Sequence, residues 1–378
     1  MALKFNLRFI NDELRKIKSQ NLYRRLRFSN VIGSHIIFGK KKLINLCSND
    51  YLGLPSPKIR TGQNQSSSRL VSGNDSSFKV LEKKLARHKS KESSLIFPTG
   101  YMTNLGTISS IIKKDDLILS DKLNHASIID ACKLSGATIS IYKHNDMHDL
   151  ENKVTQKYKR KFVISEGIFS MDGDFAKLKE ISEIATKNNC TLVLDDAHGD
   201  FVIGKDGRGS AQKVNASRKI DVYISSLSKG LGAFGGYVAA RRETIDFLIN
   251  TARSFIYTSA LPFFLVEYAL KKFESNRENH RKKLWRNVDS LRSGLVSLGY
   301  QIDSPSHIIP IIIGNEKKAM EFGRYLFENG VFAQPIRFPT VPYGKARIRV
   351  SLTALLSKKD INNALLVFGS AGKKFGVL

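Results

Sequence analysis

The stretch Thr191-Leu192-Val193-Leu194-Asp195-Asp196-Ala197-His198-Gly199 is a short apolar run that ends in two acids and a histidine. An apolar run of this length predicts a buried β-strand. Similar runs recur on both sides of it and alternate with segments of helical periodicity, which predicts an α/β domain with a mostly parallel sheet. The predicted strands are Ser94–Phe97, Asp116–Ser120, Thr138–Tyr142, Lys161–Ser165, Thr191–Leu194, Val222–Ser226 and Tyr237–Ala240, and the predicted helices are Asn104–Ile112, Ala126–Leu134, Met147–Tyr158 and Leu178–Asn188.

The rest of the chain flanks this α/β domain. Apolar residues at helical spacing with charges between them predict an amphipathic helix within Leu3–Leu26, and two short strands follow it. A long charged helical pattern runs from Pro262 to Leu298, and a strand, a helix, a strand and a last helix come after it. We expect an N-terminal helix and hairpin segment (1–46), a large α/β domain (47–261) and a smaller C-terminal α+β domain (262–378).

The composition excludes several classes of protein. No run reaches the ~18 apolar residues of a membrane span, and the N-terminal stretch lacks the apolar block of a secretory signal. The three cysteines form no C-x-x-C pair, which argues against a disulfide framework and a zinc site. These features predict a cytoplasmic protein that contacts no membrane.

The charge is unusually positive. The 378 residues include 61 Lys and Arg against 34 Asp and Glu, a net charge of +27. Such a charge is compatible with nucleic-acid binding, which is the alternative of a different class. However, the lysines form small clusters over the whole length, and no RNA-recognition or zinc-finger signature is present. A solvated basic surface is the leading interpretation, and we expect no nucleic-acid partner.

Three segments carry residues suited to catalysis. Asp195 and Asp196 follow a parallel strand, where such sheets bind their ligands. Lys229 follows the next strand between Ser228 and Gly230, and a lysine with small neighbours can form a Schiff base with a planar cofactor. The segment Pro98–Asn104 is a predicted strand-to-helix turn whose free amides could hold a phosphate.

Two other patterns carry less weight. Gly230–Gly235 matches G-x-G-x-x-G, but these glycines run into another predicted strand rather than a helix, which argues against a dinucleotide site. His144 and His148 are four residues apart and could share a metal ion, but no third ligand is evident. We expect no metal site.

Together these segments resemble the α-oxoamine synthases, enzymes of the aspartate-aminotransferase fold (fold type I) that use pyridoxal 5'-phosphate (PLP) to condense an amino acid with an acyl thioester. The resemblance implies PLP as the cofactor, a large mostly parallel-sheet domain with a smaller α+β domain, and a homodimer. It rests on Asp195–Gly199, Ser228–Gly230, Glu166–Asp174, Ser48–Leu54, Arg69–Gly73 and Ala346–Arg349.

The resemblance assigns catalytic roles to four residues. Lys229 would bond covalently to the cofactor aldehyde. Asp195 would pair with the pyridinium nitrogen and so keep the ring an electron sink. His198 would hydrogen-bond the 3-hydroxyl oxygen, and His125 would stack on the ring face.

The resemblance also assigns the rest of the cofactor pocket. Gly100 and Tyr101 would offer their amides, and Ser170 and Ser226 would surround the cofactor and its phosphate. Thr258 would reach the phosphate from the other subunit.

The substrate site follows from the resemblance in the same way. Arg349 would bind the amino-acid carboxylate in a bidentate manner, with Asn49 near it. Arg24 is a candidate for the acyl-chain side, and Thr340 is a further substrate-binding candidate within Ile336–Gly344.

The segment Ile336–Gly344 most resembles family members that join L-alanine to a pimeloyl thioester in biotin biosynthesis. The implied products are 8-amino-7-oxononanoate, carbon dioxide and a free thiol, with the acyl group carried by CoA or by acyl carrier protein. The alternative within the family is the condensation of glycine with acetyl-CoA to 2-amino-3-oxobutyrate.

Three departures from the family pattern stand out. Gln63–Ser68 replaces a glycine-rich approach to Arg69, and Phe78 stands where the family usually has histidine. Asp200 and Phe201 follow Gly199 where the family mostly has threonine and glycine. None of these changes removes a catalytic group.

Overall fold

The computed structural model describes residues 7–20, 22–64 and 66–378, with the backbone alone for residue 8. The strands of this part of the chain are β1 (Asn30–Ile32), β2 (His35–Phe38), β3 (Lys41–Asn45), β4 (Ser93–Phe97), β5 (Leu117–Asp121), β6 (Thr138–Tyr142), β7 (Lys161–Glu166), β8 (Thr191–Asp195), β9 (Val222–Ser226), β10 (Gly236–Ala240), β11 (Ile308–Gly314), β12 (Val331–Phe332), β13 (Gln334–Ile336) and β14 (Ala346–Ser351). The α-helices are α1 (Arg8–Ser19), α2 (Ser76–His88), α3 (Gly100–Ile111), α4 (Ala126–Ser135), α5 (Met147–Val154), α6 (Leu178–Lys187), α7 (Ser210–Lys213), α8 (Arg242–Thr251), α9 (Arg253–Ile256), α10 (Phe263–Glu274), α11 (Arg277–Ser297), α12 (Glu316–Glu328) and α13 (Lys358–Lys374).

A seven-stranded sheet in the order β4-β10-β9-β8-β7-β5-β6 forms the centre of the molecule. The five strands from β9 to β6 in this order run parallel, while β10 is antiparallel to both of its neighbours. Strands β5, β8 and β9 are buried along almost their whole length, which explains their nearly continuous apolar sequences. The predicted fold class is confirmed.

Two smaller sheets complete the fold. One has the order β11-β14-β13, and the other has the order β1-β2-β3-β12. In the second sheet Ile44 of β3 pairs in parallel with Val331 of β12. The N-terminal hairpin is therefore part of the same sheet as a C-terminal strand, although the two are far apart in the sequence. The domain boundaries at 46 and 261 stay predictions.

Several helices differ from their predicted extents: α3 begins at Gly100 instead of Asn104, and α5 ends at Val154 instead of Tyr158. The pattern predicted from Pro262 to Leu298 is broken at Ser275, whose backbone is extended (φ −71°, ψ 163°) between α10 and α11. The Ser275 hydroxyl donates to the Lys272 carbonyl oxygen at 2.7 Å, a local bond that competes with helix continuation. The N-terminal helix covers Arg8–Ser19, and residues 3–6 of its predicted range lie outside the described residues.

None of the described helices is long and apolar enough to cross a bilayer. Within the described ranges, no group of three His, Cys, Asp or Glu side chains is arranged to hold a metal ion.

Helix α3 packs on β10 by close backbone approach at Gly236. A β-carbon at this position would lie 2.6 Å from the Gly100 α-carbon and would also collide with the Thr103 hydroxyl. Only glycine therefore allows the first turn of α3 to lie against the start of β10.

We expect Gly236→Ala to lower the free energy of unfolding by about 1–3 kcal/mol, because the added methyl group overpacks this contact. Gly62→Ala is the matched control, since a β-carbon at this exposed glycine would meet only the Phe263 ring, at 3.7 Å. Denaturant unfolding measures both, and equal stability of the two variants would contradict the close-packing interpretation.

Candidate active site

The site lies at the carboxyl ends of the parallel strands. Asp195 ends β8, Glu166 ends β7, and the two residues are register partners in neighbouring strands. Ser226 ends β9, and Lys229 lies in the turn that follows it. The strand order alone thus brings residues from three separate parts of the sequence to one edge of the sheet.

Asp195 is a buried carboxylate held by neutral donors. Its Oδ2 accepts from Asn104 Nδ2 at 2.6 Å, and its Oδ1 accepts from the Ala197 amide at 2.9 Å. It is 7% exposed, and no cationic side chain of the described residues lies within ion-pair distance. A carboxylate in this state is suited to a ligand that brings its own positively charged N–H group.

Asp196 belongs to the other side of β8. Its Oδ2 accepts from the Ser210 amide at 2.9 Å and lies 3.4 Å from Lys89 Nζ. Burial raises its pKa to about 6, with Lys89 opposing the shift. Successive residues of a strand point to opposite faces, so Asp195 is the acid that faces Lys229.

Lys229 is surrounded by acids in a desolvated site. Burial lowers the pKa of its amine, and the charges of Asp195 and Glu166 partly oppose this shift. Burial and the Asp195 charge raise the pKa of Glu166 well above its usual value, and its Oε1 has no hydrogen-bond partner. A lysine whose amine deprotonates more readily than usual is a better nucleophile and base near neutral pH.

His198 is hydrogen-bonded by Tyr51, an aromatic residue that is distant in the sequence. Its Nδ1 lies 2.7 Å from the Tyr51 hydroxyl, which donates to Asn49 Oδ1 at 3.2 Å. The His307 ring packs edge-on against Tyr51 with centroids 4.1 Å apart. Burial, with the charges of Lys229 and Arg349, lowers the pKa of His198 well below its usual value. His198 is therefore a neutral hydrogen-bonding group at physiological pH.

His125 caps the first turn of α4 and is exposed. Its Nδ1 lies 2.8 Å from the Ser127 hydroxyl and accepts from the Ser127 amide at 3.2 Å. The Ser127 hydroxyl also accepts from Asn104 Nδ2 at 2.9 Å. Asn104 therefore connects the His125 cap to the Asp195 carboxylate.

The start of α3 provides an anion site next to β9. Thr99 caps the helix by accepting from the Met102 amide at 3.1 Å, which leaves the amides of Gly100 and Tyr101 without partners among the described residues. A β-carbon on Gly100 would lie 3.2 Å from that of Ser226, and the Ser226 hydroxyl lies 2.8 Å from that of Ser228. Free amides beside hydroxyl groups at a helix N-terminus suit a phosphate.

Arg349 enters the site from the C-terminal sheet. Its Nε donates to the Ser170 carbonyl oxygen at 2.6 Å, and its Nη1 donates to the Ser351 hydroxyl at 2.7 Å. Arg349 is 9% exposed, and its guanidinium has no carboxylate partner among the described residues. An oriented, uncompensated guanidinium is suited to a carboxylate ligand.

Three predicted site residues lie apart from this group. Arg24 is exposed in the segment after α1, and Thr340 is exposed in the turn after β13. Thr258 is half-buried, and its hydroxyl donates to the Ser259 carbonyl oxygen at 3.4 Å. No contact within the described chain joins any of the three to the other site residues.

Asn104 and Tyr51 are site residues that were not predicted from the sequence. Asn104 bonds to Asp195 across 91 residues, and Tyr51 bonds to His198 across 147 residues. Tyr51 was inside a segment that carried the family resemblance, whereas Asn104 had no signal beyond its place at the end of a helix-initiating turn.

Comparison with known proteins agrees with this geometry. Residues 41–368 match the aminotransferase class I and II family, and the chain belongs to that family. It is 42% identical to the 8-amino-7-oxononanoate synthase of Thermoanaerobacter pseudethanolicus over 395 aligned positions, which cover all of both chains.

Solved structures show the same relationship. A serine palmitoyltransferase from S. paucimobilis with a bound PLP–myriocin aldimine is 26% identical with a TM-score of 0.91, and the match covers all of both chains. An 8-amino-7-oxononanoate synthase from Francisella tularensis is 27% identical with a TM-score of 0.77, over 89% of this chain and 99% of that one. The resemblance to the α-oxoamine synthases is confirmed, and the chain is a PLP-dependent enzyme of fold type I.

The residues of this chain fit that cofactor. The buried Asp195 carboxylate lacks a cation, and PLP carries a ring nitrogen that can be protonated. The free amides of Gly100 and Tyr101 suit its phosphate, and the Lys229 amine is the group that would hold its aldehyde carbon.

The departure at Asp200 and Phe201 lies in a buried cluster behind the site, in which Asp200 makes the ionic contacts. Asp200 lies 2.7 Å from Lys89 Nζ and 3.0 Å from His88 Nε2, and it accepts from the Tyr237 hydroxyl at 2.5 Å. Phe201 adopts φ +65°, a conformation that favours glycine. Its ring stacks on His88 with centroids 5.0 Å apart, which offsets the cost of that backbone.

The departure at Phe78 is also accommodated by packing. Phe78 is buried under the Arg69 guanidinium, which lies 4.1 Å from the ring centroid. Arg69 is fixed by Glu82, with Nη1 and Oε1 2.6 Å apart.

We expect Asp200→Asn to lower the free energy of unfolding by about 3–5 kcal/mol, because it leaves the buried Lys89 amine without its nearest countercharge. The single tryptophan, Trp285, donates to the Val202 carbonyl oxygen at 3.2 Å, so its fluorescence reports unfolding next to this cluster. The control is Asp289→Asn, which removes an exposed partner of Arg292 and should cost less than ~1 kcal/mol. If Asp200→Asn lowers the free energy of unfolding as little as the control does, the cluster is not a charged one.

Proposed function

We propose that this chain is an acyltransferase that condenses L-alanine with a pimeloyl thioester, carried by CoA or by acyl carrier protein. The products are 8-amino-7-oxononanoate, carbon dioxide and the free thiol, a step of biotin biosynthesis. The single observation that carries the chemistry is the desolvated Lys229 amine beside the unpaired Asp195 carboxylate and the unpaired Arg349 guanidinium. The choice of substrates rests on the 42% identity, over full length, to an 8-amino-7-oxononanoate synthase.

PLP supplies an electron sink for the bonds at the α-carbon of the amino acid. The chain supplies the groups around it. The Asp195 carboxylate would accept a hydrogen bond from the ring nitrogen and so favour its protonated form. Lys229, whose pKa burial lowers, is the base that can take the α-proton from the substrate and return a proton to the product.

Arg349 binds the substrate carboxylate and so orients the α-carbon. Its own orientation is fixed by the Ser170 carbonyl oxygen and the Ser351 hydroxyl, which lowers the entropic cost of binding. His198 contributes a neutral hydrogen bond and His125 the ring for stacking. Burial lowers the pKa of both histidines, so neither adds a positive charge that would compete with the ring nitrogen for the Asp195 carboxylate.

We also propose that the enzyme works as a homodimer in which Thr258 completes the partner's cofactor site. Leu70, Val71 and Tyr257 are 52%, 79% and 73% exposed in the single chain. The Ala260 amide donates to the Ser67 carbonyl oxygen at 2.9 Å, so the segments that carry these side chains are neighbours. Exposed apolar side chains on two neighbouring segments are typical of an interface.

Product analysis tests the reaction. PLP-loaded protein is incubated with pimeloyl-CoA or acetyl-CoA and with L-alanine, glycine or L-serine, and the products are identified by mass. We expect 8-amino-7-oxononanoate from the pair of L-alanine and pimeloyl-CoA. Lys229→Ala should abolish turnover, whereas Lys187→Ala, at the exposed end of α6, should leave it unchanged.

Each alternative gives its own product. Formation of 2-amino-3-oxobutyrate from glycine and acetyl-CoA would replace the proposed reaction by the alternative within the family. A product from L-serine would move the chain toward the serine palmitoyltransferases that share its fold. Full activity of Lys229→Ala would overturn the assignment of the catalytic lysine.

Light scattering tests the dimer. We expect twice the chain mass at micromolar concentration, because a stable interface of this kind buries more than ~1,000 Å². Tyr257→Glu should weaken the association, since a charge would be desolvated at the interface, and it should lower PLP affinity with it. An active wild-type monomer would contradict the role of Thr258.

A further inference from the structure

His144 occupies an unusual position between two acids. It lies in the turn after β6, with Nδ1 2.9 Å from Asp121 Oδ1 and Nε2 2.8 Å from Asp174 Oδ2. Its ring is edge-on to Phe169, with centroids 4.4 Å apart. Asp121 ends β5, and Asp174 lies in the loop that follows β7.

The two contacts define the protonation state of His144. A neutral imidazole has one donor and one acceptor nitrogen, and the acceptor would face a carboxylate oxygen without a shared proton. Both nitrogens donate only in the imidazolium form. Although burial lowers it, hydrogen bonds to Asp121 and Asp174 and the charges of these acids raise the pKa of His144 to about 10. His144 is therefore a cation that links two anions.

Each of these acids shapes a segment of the site. Asp121 Oδ1 also accepts from the Leu123 amide at 2.8 Å, which sets the turn that leads to His125. Asp174 closes the other loop, because its carbonyl oxygen accepts from the Phe169 amide at 3.1 Å. That second loop contains Ser170.

The same loop is held on its far side by the C-terminal sheet. Arg349 donates to the Ser170 carbonyl oxygen at 2.6 Å, and Arg347 Nη1 lies 2.5 Å from Asp172 Oδ1. A shift of the loop would therefore displace the Arg349 guanidinium. His144 is thus connected to the candidate carboxylate site through Asp174, the loop that contains Ser170, and Arg349.

We propose that His144, bridging Asp121 and Asp174, is a positioning residue that sets the Ser170 loop and through it the Arg349 guanidinium for binding the substrate carboxylate. This inference rests on the proposed function only in that Arg349 receives the carboxylate of an amino acid. His144 touches neither substrate nor cofactor in this role.

The neighbouring Asn145 makes hydrogen bonds of its own to both segments, and these do not depend on His144. Its Nδ2 donates to Asp174 Oδ2 at 2.9 Å and to the Phe175 carbonyl oxygen at 3.0 Å, and its amide donates to Asp121 Oδ2 at 3.1 Å. The two loops stay connected in His144→Gln, but the charged bridge is lost. We expect this variant to fold.

The test compares amino-acid affinity with turnover. Whichever of L-alanine, glycine or L-serine binds to PLP-loaded wild type is titrated by the change in cofactor absorption, and the same amino acid is then used for the variants. We expect His144→Gln and Asp174→Asn each to weaken its binding by at least ~10-fold, as small displacements of a positioned group do. PLP affinity should change much less, because Asp195 and Lys229 lie on other strands and the Asn145 amide still holds Asp121 before the turn to His125.

The control is His148→Gln. His148 is on α5, four residues away, and its ring contacts only Asn152 of the same helix among the described residues. It should bind the amino acid as wild type does. If His144→Gln and Asp174→Asn also bind it as wild type does, the positioning role is wrong. If L-alanine does not bind but another of the three does, the proposed substrate is wrong, and this comparison is still valid with the amino acid that binds.

A second measurement, made without substrate, tests whether His144 is a charged bridge between Asp121 and Asp174. A histidine with a pKa of about 10 in the folded protein and about 6.5 in the unfolded chain stabilises fully below pH 6.5, and this contribution falls as pH rises toward 10. The stability difference between wild type and His144→Gln should shrink between pH 6.5 and 9.5. A difference that is constant over this range would show that His144 does not act as a cation between Asp121 and Asp174, and would overturn the bridge.

Discussion

The burial of three ionisable groups at one edge of the central sheet is the constraint on which the site depends. Asp195 and Glu166 are register partners at the ends of β8 and β7, and Lys229 follows the next strand of the sheet. Burying such groups without partners is costly. The cost is limited because Asp195 has two neutral donors, and because the shifted pKa values of Glu166 and Lys229 favour their neutral forms. Binding of a cofactor with a protonated ring nitrogen would remove much of the remaining cost of burying Asp195.

The sequence was sufficient to predict the sheet and the groups attached to its strand ends. Strands such as β8 and β9 have both faces buried, so their residues form apolar runs that are recognisable without a partner strand. Asp195, Ser226 and Lys229 follow directly from those runs. Their position at the carboxyl ends of the strands is where parallel sheets of this kind bind ligands.

The residues that hold these groups in place could not be predicted in the same way. Asn104 and Tyr51 reach Asp195 and His198 from segments 91 and 147 residues away in the chain, and nothing local indicates which side chains they will meet. The break at Ser275 was missed for the opposite reason. It depends on one side-chain hydrogen bond, while the helical periodicity continues on both sides of it.

Asp200 and Phe201 show why a departure from a family pattern is hard to interpret from sequence. A buried aspartate in place of a small neutral residue is unfavourable by itself, and so is an aromatic residue at positive φ. Here two adjacent residues at the end of α2 compensate for them: Lys89 pairs with Asp200, and His88 stacks on Phe201. The changes make sense only as a set.

The substrate site is shared between two sheets, and this has a consequence for binding. Arg347, Arg349 and Ser351 alternate along β14 and therefore face the same side of that strand. Arg347 and Arg349 contact the 170–174 loop of the large sheet, and Ser351 orients Arg349. The carboxylate-binding group thus comes from one sheet, and part of its alignment comes from the other through Ser170. Because the groups that would hold the ring nitrogen, aldehyde and phosphate of PLP all come from the large sheet and α3, contacts that join the two sheets can change amino-acid affinity more than cofactor affinity.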